Sequence, residues 1–441
     1  MTRRLPCAAR AAAGVLGGGT LRCVSDTNKD LYATILGVRA PWFVTEVDVS
    51  AKREEVTVTI QCRADAQHPC PTCGEACPGY DTRRRSWRHL DTCQFKTVLV
   101  ADVPRVQCRE HGVAQIATPW AEPGSGFTAL MESLIIDWLR EAGISAVARR
   151  MRLTWDQIDG VMQRAVRRGL ERRKVRDVRR VGVDETSFQK RHEYVTVVTD
   201  IERGHVLYVA DDRTSVSLDG FWGLLEKEQL DGIEAVAMDM CAAYVRSARA
   251  HVGNADAKIC FARFHVAKLL NDAVNTVRKQ ENRELAADGM YVPKRTKYIW
   301  AQNPENMPRE RRIEFDLLRD CSLKAGRAWA IKDAARWLWG YAARGWATKA
   351  WKKWIGWAMR SRLEPMKKAA RTVQAHLWGI VNAIVLSVTN ATAESVNSRI
   401  QWIKKQACGF RNRERFRNAI YFHLGGLDLY PVARSATHTN S

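Results

Sequence analysis

The chain has 441 residues, more than one hydrophobic core usually organises, so several domains are expected. Its 70 Lys and Arg outnumber 48 Asp and Glu for a net charge of +22, and 46% of its residues are hydrophobic. That balance excludes a disordered chain and points to a polyanionic partner, most simply nucleic acid. No run approaches the roughly eighteen apolar residues of a membrane-spanning helix, so no membrane partner is expected.

The charge is unevenly distributed. Residues 1–148 sum to +1, 149–180 to +8, 181–265 to −5, 266–386 to +13 and 387–441 to +5. An acidic block inside a basic protein has no use in merely coating DNA, whereas carboxylates that hold divalent cations against phosphates need one.

Residues 1–28, with Arg3 and Arg4 ahead of a glycine-rich segment, only loosely mimic an export signal. They are read as a disordered extension on a cytosolic protein whose fold begins near Leu31. Val44 to Gln61 alternates apolar and polar residues, as strands do. Cys70-Pro-Thr-Cys73-Gly then forms a tight knuckle, and Cys108-Arg-Glu-His111 repeats the two-residue spacing after a strand-like stretch from Phe95 to Val106. Cys70, Cys73, Cys108 and His111 would make a closed Cys₃His site for one structural Zn²⁺ in a domain spanning 29–120. Buried free thiols are the plainer reading, and Cys77 or His68 lies close enough to replace one ligand.

From Phe127 the pattern becomes helical, with Leu130, Leu134, Ile135 and Leu139 on one face. A short helix from Ala146 to Met151 and a longer one from Trp155 to Val166, capped by Thr154, outline a helix-turn-helix within 121–180. An ordinary helical bundle would show the same pattern. The basic residues Arg149, Arg150 and Arg152, then Arg164, Arg167 and Arg168 with the run to Arg180, favour phosphate contact.

Between 181 and 265 the reading is a ribonuclease-H-like α/β core. Three hairpin-like strands start near Arg179, Glu193 and His205. A helix from Leu218 to Leu230, a strand from Ile233 to Met240, a helix and a strand from Ala257 to Phe264 follow. In that order the first and fourth strands are neighbours, which brings Asp184 and Asp239 to one sheet edge, where two carboxylates can bridge a pair of divalent metals. Residues 266–385 read as an α-helical insertion with nine of the sixteen tryptophans. Most are expected in its core, and one or two could face DNA beside Lys349, Lys352, Lys353, Arg360 and Arg362. Residues 386–431 return to the core with a helix whose polar face carries Glu394, Asn397, Ser398, Gln401 and Lys405. Residues 432–441 are a tail.

Taken together, these segments resemble the DDE transposases of bacterial insertion sequences, specifically the ISL-three family. The resemblance is carried by Cys70-Pro-Thr-Cys73-Gly, Trp87-Arg-His-Leu-Asp91, Pro104-Arg-Val-Gln-Cys108-Arg-Glu-His111 and Pro119-Trp-Ala. It continues in Gly182-Val-Asp184-Glu185, Asp239-Met-Cys-Ala-Ala-Tyr244, Phe264-His265-Val266, Ala393-Glu394-Ser-Val-Asn397-Ser398 and Gly409-Phe-Arg411-Asn412. It covers roughly 31–431.

The resemblance implies that Asp184, Asp239 and Glu394 are a DDE triad holding two Mg²⁺ (or Mn²⁺) ions. It implies cleavage and strand transfer at terminal inverted repeats of double-stranded DNA, which calls for a homodimer or larger assembly because two ends are handled together. Arg149, Arg150, Arg152, Arg164, Arg167 and Arg168 of the basic run, Asn397, Ser398 and Lys405 of the polar helix face, and Arg411 are expected on DNA. Two positions depart from the family's pattern, Ala262 and Asn275, where an acidic residue is common. Neither is a triad position, so altered or lowered activity is the most they imply. A DNA-binding regulator derived from such an element is the rival reading, and the intact triad argues against it.

Overall fold

The computed structural model describes residues 21–22, 26–174, 177–189, 193–290, 296–321, 323–389 and 391–431. The chain divides into two compact units, residues 1–165 with 429–441, and residues 166–428. Most of the expected N-terminal extension, the Arg176 position and the tail from 432 lie outside the described residues. Within 1–28, Leu21 and Arg22 pair with Val49 and Asp48, and a helix starts at Asp26, a few residues before Leu31.

The first unit is built on β1 (Leu21–Arg22), α1 (Asp26–Leu36), β2 (Trp42–Ser50), β3 (Glu55–Cys62), β4 (His68–Pro69), β5 (Ala76–Cys77), β6 (Gly79–Thr92), β7 (Phe95–Cys108) and β8 (Gly112–Gln115). The main sheet runs β1-β2-β3-β7-β6, with β8 on β7 and a separate β4–β5 ribbon. Strand alternation decides its buried face: Val56, Val58 and Ile60 on β3 and Leu99, Ala101 and Val103 on β7 point inward. Trp42 and Trp87 close that face by meeting Trp120 edge-on at 4.9 and 5.4 Å.

Three helices follow, α2 (Ala129–Glu141), α3 (Ile144–Met151) and α4 (Trp155–Arg172). The Thr128 hydroxyl caps α2 by accepting from the Met131 amide. Its buried stripe is Met131, Ile135, Ile136 and Leu139, so the expected Leu130 and Leu134 are only half-buried. The stripe is rotated because Glu132 enters the core to meet Arg164. Thr154 and Gln157 cap α4 reciprocally, and Ile158, Val161, Met162 and Ala165 are buried as their spacing requires.

The second unit contains β9 (Arg180–Gln189), β10 (Glu193–Asp200), β11 (His205–Asp211), α5 (Ser215–Trp222), α6 (Lys227–Asp231), β12 (Ala235–Met238), α7 (Ala242–His251), α8 (Ala255–Lys258) and β13 (Ile259–Phe261). Then come α9 (Arg263–Ala287), α10 (Lys297–Ala301), α11 (Arg309–Cys321), α12 (Leu323–Trp337), α13 (Arg344–Arg360), α14 (Glu364–Ala375), α15 (Leu377–Val385), α16 (Ala391–Gln406) and α17 (Arg413–Leu424). The sheet order is β11-β10-β9-β12-β13, with β9, β10 and β11 antiparallel and β12 and β13 parallel to β9.

Two local expectations are corrected. The helix expected from Leu218 to Leu230 breaks at Gly223 into α5 and α6. The fifth strand is three residues long, because residues 255–258 form a helical turn before it. In the insertion Trp300, Trp329, Trp351 and Trp354 are buried and Trp339 and Trp378 half-buried, whereas Trp337, Trp346 and Trp357 stand exposed.

Candidate active site and metal centre

β9 and β12 run parallel with Gly182 opposite Ala237. Two residues further along each chain come Asp184 and Asp239, which therefore leave the sheet at one level and on one side. Glycine at 182 matters to this arrangement. A Cβ there would stand 2.6 Å from Thr199 Oγ1 on the neighbouring β10, so the bare backbone makes room for that hydroxyl, which donates to the Gly182 carbonyl at 3.2 Å.

Helix α16 is then stitched to β9. Asn397 Nδ2 donates to Asp184 Oδ2 at 2.7 Å, Gln401 Nε2 to Thr186 Oγ1 at 2.9 Å, and Lys404 Nζ to the Ser187 carbonyl at 2.6 Å. Asn397, expected on DNA, thus holds a carboxylate, and the Ser398 hydroxyl donates to the Glu394 carbonyl of its own helix at 2.9 Å. Lys405 and Arg411 are exposed.

The backbone completes the pose of both aspartates. Asp184 Oδ1 accepts from the Glu185 amide at 2.8 Å, and Asp239 Oδ1 from the Met240 amide at 2.6 Å. Burial raises the Asp184 carboxyl above its ordinary range and the charge of Asp239 adds to this, against the Glu185 amide, His265 and Lys268. Burial and the Asp184 charge likewise raise Glu394. Three hard oxygen ligands that repel one another in a half-buried setting fit divalent Mg²⁺ or Mn²⁺, whose charge would offset that repulsion.

Sequence reasoning missed three neighbours. Arg213, after β11, places Nε 2.7 Å from Glu185 Oε2 and Nη2 3.7 Å from Asp239 Oδ2. His265, in the first turn of α9, places Nδ1 3.5 Å from Asp239 Oδ1, while its buried Nε2 has no hydrogen-bond partner. His265 stood in a quoted motif, so a signal existed for it. The same holds for Glu185 beside Asp184, and only Arg213 is brought in by the fold. Of the two departures, Ala262 precedes α9 as its N-cap and Asn275 Oδ1 accepts from Arg278 at 2.9 Å.

In the first unit Cys70, Cys73, Cys108 and His111 gather, their ligand atoms all within 4.8 Å of one another. Gly74, at φ +77°, allows the knuckle, and its amide donates to the Cys70 carbonyl at 2.9 Å. The backbone amides of Cys73 and Thr72 lower the Cys70 thiol, and that of His111 lowers Cys108, as suits metal-binding thiolates. A tetrahedral zinc ion sets edges of roughly 3.8 Å between sulfurs and roughly 3.5 Å between sulfur and imidazole nitrogen. Here Cys73 and Cys108 sulfurs are 3.7 Å apart, and His111 Nδ1 lies 3.5 Å from Cys108 Sγ and 3.9 Å from Cys70 Sγ. The four residues fit zinc. His68 is not among them, because its Nε2 faces Cys62 Sγ at 3.6 Å, and the Cys77 thiol donates to the Glu75 carbonyl.

Of the arginines expected on DNA, Arg164 and Arg168 turn into the protein, and Arg152 is exposed but paired. Arg164 forks onto Glu132 Oε1 at 2.6 and 2.8 Å, and Glu132 is 1% exposed. Arg168 is buried. Arg152, in the left-handed turn before α4, donates to Asp91 Oδ2 at 2.6 Å and the Gln94 carbonyl at 2.7 Å. The spacing of α4 sends 164 and 168 toward the apolar stripe, whereas Arg149, Arg150 and Arg167 remain exposed, Arg150 over the Trp138 ring.

Comparison with known families agrees with this division. Residues 181–420 match the model of the ISL3 transposase domain, residues 66–111 that of the zinc-finger of transposases IS204/IS1001/IS1096/IS1165, and residues 116–166 that of the helix-turn-helix domain of transposase family ISL3. The chain is 26% identical to the transposase for insertion sequence element IS1557 of Mycobacterium tuberculosis, over 87% of this chain and 93% of that protein. It is 25% identical to the transposase for insertion sequence element IS1001 of Bordetella parapertussis, over 79% and 86%. Among the described residues no helix is long and apolar enough to cross a membrane. With a transposase domain over more than half its length, preceded by the family's zinc finger and DNA-binding helices, this chain belongs to the ISL3 family of insertion-sequence transposases.

Proposed function

We propose that the protein cuts and joins DNA at the terminal inverted repeats of its element by a DDE two-metal reaction, on a ribonuclease-H-like core, as a homodimer or larger assembly in the cytosol. The observation that carries the reading is the shared level of Asp184 and Asp239 on parallel strands, with Glu394 on a helix tied to the same strand through Asn397. The strand order β11-β10-β9-β12-β13 supports the core assignment.

Asp184, Asp239 and Glu394 would hold two divalent ions. Asp184 feels the charge of Asp239, and Glu394 that of Asp184. Such a pair of ions, when bound, activates water and then a DNA 3′-hydroxyl for in-line attack on phosphorus and stabilises the leaving oxygen. The chain's own part is positional: Asn397 and the Glu185 amide fix Asp184, the Met240 amide fixes Asp239, and Arg213 supplies positive charge where a phosphate approaches. The Cys₃His cluster would hold one structural zinc ion, and the exposed Arg149, Arg150 and Arg167 serve the inverted repeats. Handling two ends together requires at least two copies.

The test is strand cleavage of a duplex bearing the element's end, with Mg²⁺ or Mn²⁺. Wild type is expected to cut. Asp184→Asn and Asp239→Ala are expected to lose at least about a thousandfold in rate while still binding the end, since each removes a ligand on which charge stabilisation of the transition state depends. Equal cutting by wild type and Asp239→Ala would overturn the metal-triad assignment. Binding without cutting by any form would favour a regulator.

A further inference from the structure

Helix α13 carries four tryptophans and treats them in two ways. Trp351 and Trp354 are 0% and 4% exposed and pack with Ala347, Ile355 and Ala358, whereas Trp346 and Trp357 are 64% and 43% exposed. At about 100° per residue, Trp346, Lys349, Lys353, Trp357 and Arg360 fall on one arc roughly opposite the buried face. All five are exposed, with Lys352 on the flank. The Lys349 ammonium sits 5.5 Å from the centre of the Trp346 ring. The helix contains no Asp or Glu, and none of these four cations is ion-paired to a carboxylate among the described residues.

Two exposed indoles on a helix that already fills its core with two others are not needed for packing. Two chemistries alternate along the stripe. The cations suit phosphates, while the flat indole faces, about 16 Å apart along the helix, suit bases. A paired duplex hides its base faces in the stack, so cations alone would serve it, and the indoles have work only where bases are unpaired. A second copy of this chain is the poorer occupant, because a two-fold contact through this face would set Lys349 and Lys353 against their own counterparts.

We propose that the exposed face of α13 is a subsite for unpaired DNA, with Trp346 and Trp357 stacking on splayed bases and Lys349, Lys353 and Arg360 on the flanking phosphates. The proposal rests on the reading that the protein acts on DNA ends, and it adds that those ends are gripped as separated strands away from the carboxylates. Nothing in it depends on the metals.

The test uses the full chain and fluorescence anisotropy with two probes: a fluorescein-labelled mixed-sequence single-stranded oligonucleotide, and the duplex bearing the element's end. The W346A/W357A variant is expected to weaken single-strand binding by about thirtyfold or more, through the loss of two stacked bases. Duplex-end binding should change less than about twofold. W346F/W357F is expected to keep most of the single-strand affinity, and K349A/K353A to lose affinity and flatten its salt dependence. The replaced side chains are exposed, so melting temperatures should match wild type. Unchanged single-strand binding in W346A/W357A overturns the proposal, as does equal weakening for both probes. So does a shift in oligomeric state by light scattering with DNA binding intact. Any of these leaves the triad reading standing, which cleavage by Asp184→Asn decides separately.

Discussion

The arginines around α4 are chemically alike and have different fates. Arg167 points to solvent, while Arg164, three residues earlier, is 19% exposed and paired with the buried Glu132, which also accepts from the Ser125 hydroxyl at 2.8 Å. Removing one partner of a buried pair leaves a charge without compensation, at about 3–5 kcal/mol. Arg164→Ala should therefore lower the stability of the first unit by about 3 kcal/mol in urea unfolding. Arg167→Ala should leave stability within about 0.5 kcal/mol and weaken end binding instead. A destabilised Arg167→Ala with an unaffected Arg164→Ala would reverse the assignment. Composition marked both as DNA contacts, because a charged residue's sequence position does not show whether a partner waits inside. The same holds at the catalytic site: Asp184, Asp239 and Glu394 stood at strand ends and on a polar helix face, but Arg213 is brought to Glu185 only by the fold.

Among the elements, β6 and the start of α2 show how a strand carries a helix. The Arg88 amide donates to the Gly126 carbonyl and the Thr128 amide to the Arg88 carbonyl, while the Thr128 hydroxyl, which also caps α2, lies 2.9 Å from His89 Nδ1. His89 is buried, and burial with the Arg88 charge beside it pushes its pKa down to about 4. The unfolded chain then takes up the proton first, so the stability held by neutral His89 is complete above about 6.5 and is lost as pH falls toward 4. The loss should be on the order of 3 kcal/mol by urea unfolding between pH 7 and pH 4, and the slope should largely vanish in His89→Gln. A variant as pH-sensitive as wild type would assign the effect elsewhere. Period and capping made most elements legible, including α4 and its Thr154 cap. The break at Gly223, the short β13 and the rotated stripe of α2 were not, since each is set by what the element packs against rather than by its own pattern.

At the scale of the whole molecule, the first compact unit contains a sheet core built on Val58, Ile60 and Leu99 and, among the described residues, the Cys₃His cluster, while the second unit contains the large core around Val181, Val236 and Trp351. Calorimetry of the zinc-loaded protein should therefore show two transitions, of which a chelator lowers one, because zinc-binding energy in such sites is folding energy. A chelator that moved neither transition would remove zinc from the structure's support. One that moved both alike would show that the units do not unfold separately.

The sequence by itself determined the family, the ligand spacings of the zinc knuckle, the order of elements around Asp184 and Asp239 and the partition of charge between them. Those are properties of neighbours along the chain, where turn chemistry, periodicity and composition act directly. Only the tertiary structure brought Asn397 onto Asp184, paired Arg164 with the buried Glu132, and turned two of the four indoles on α13 outward. Each of these depends on which residues from distant segments share one small volume, and there burial and an available partner outweigh anything the local pattern encodes.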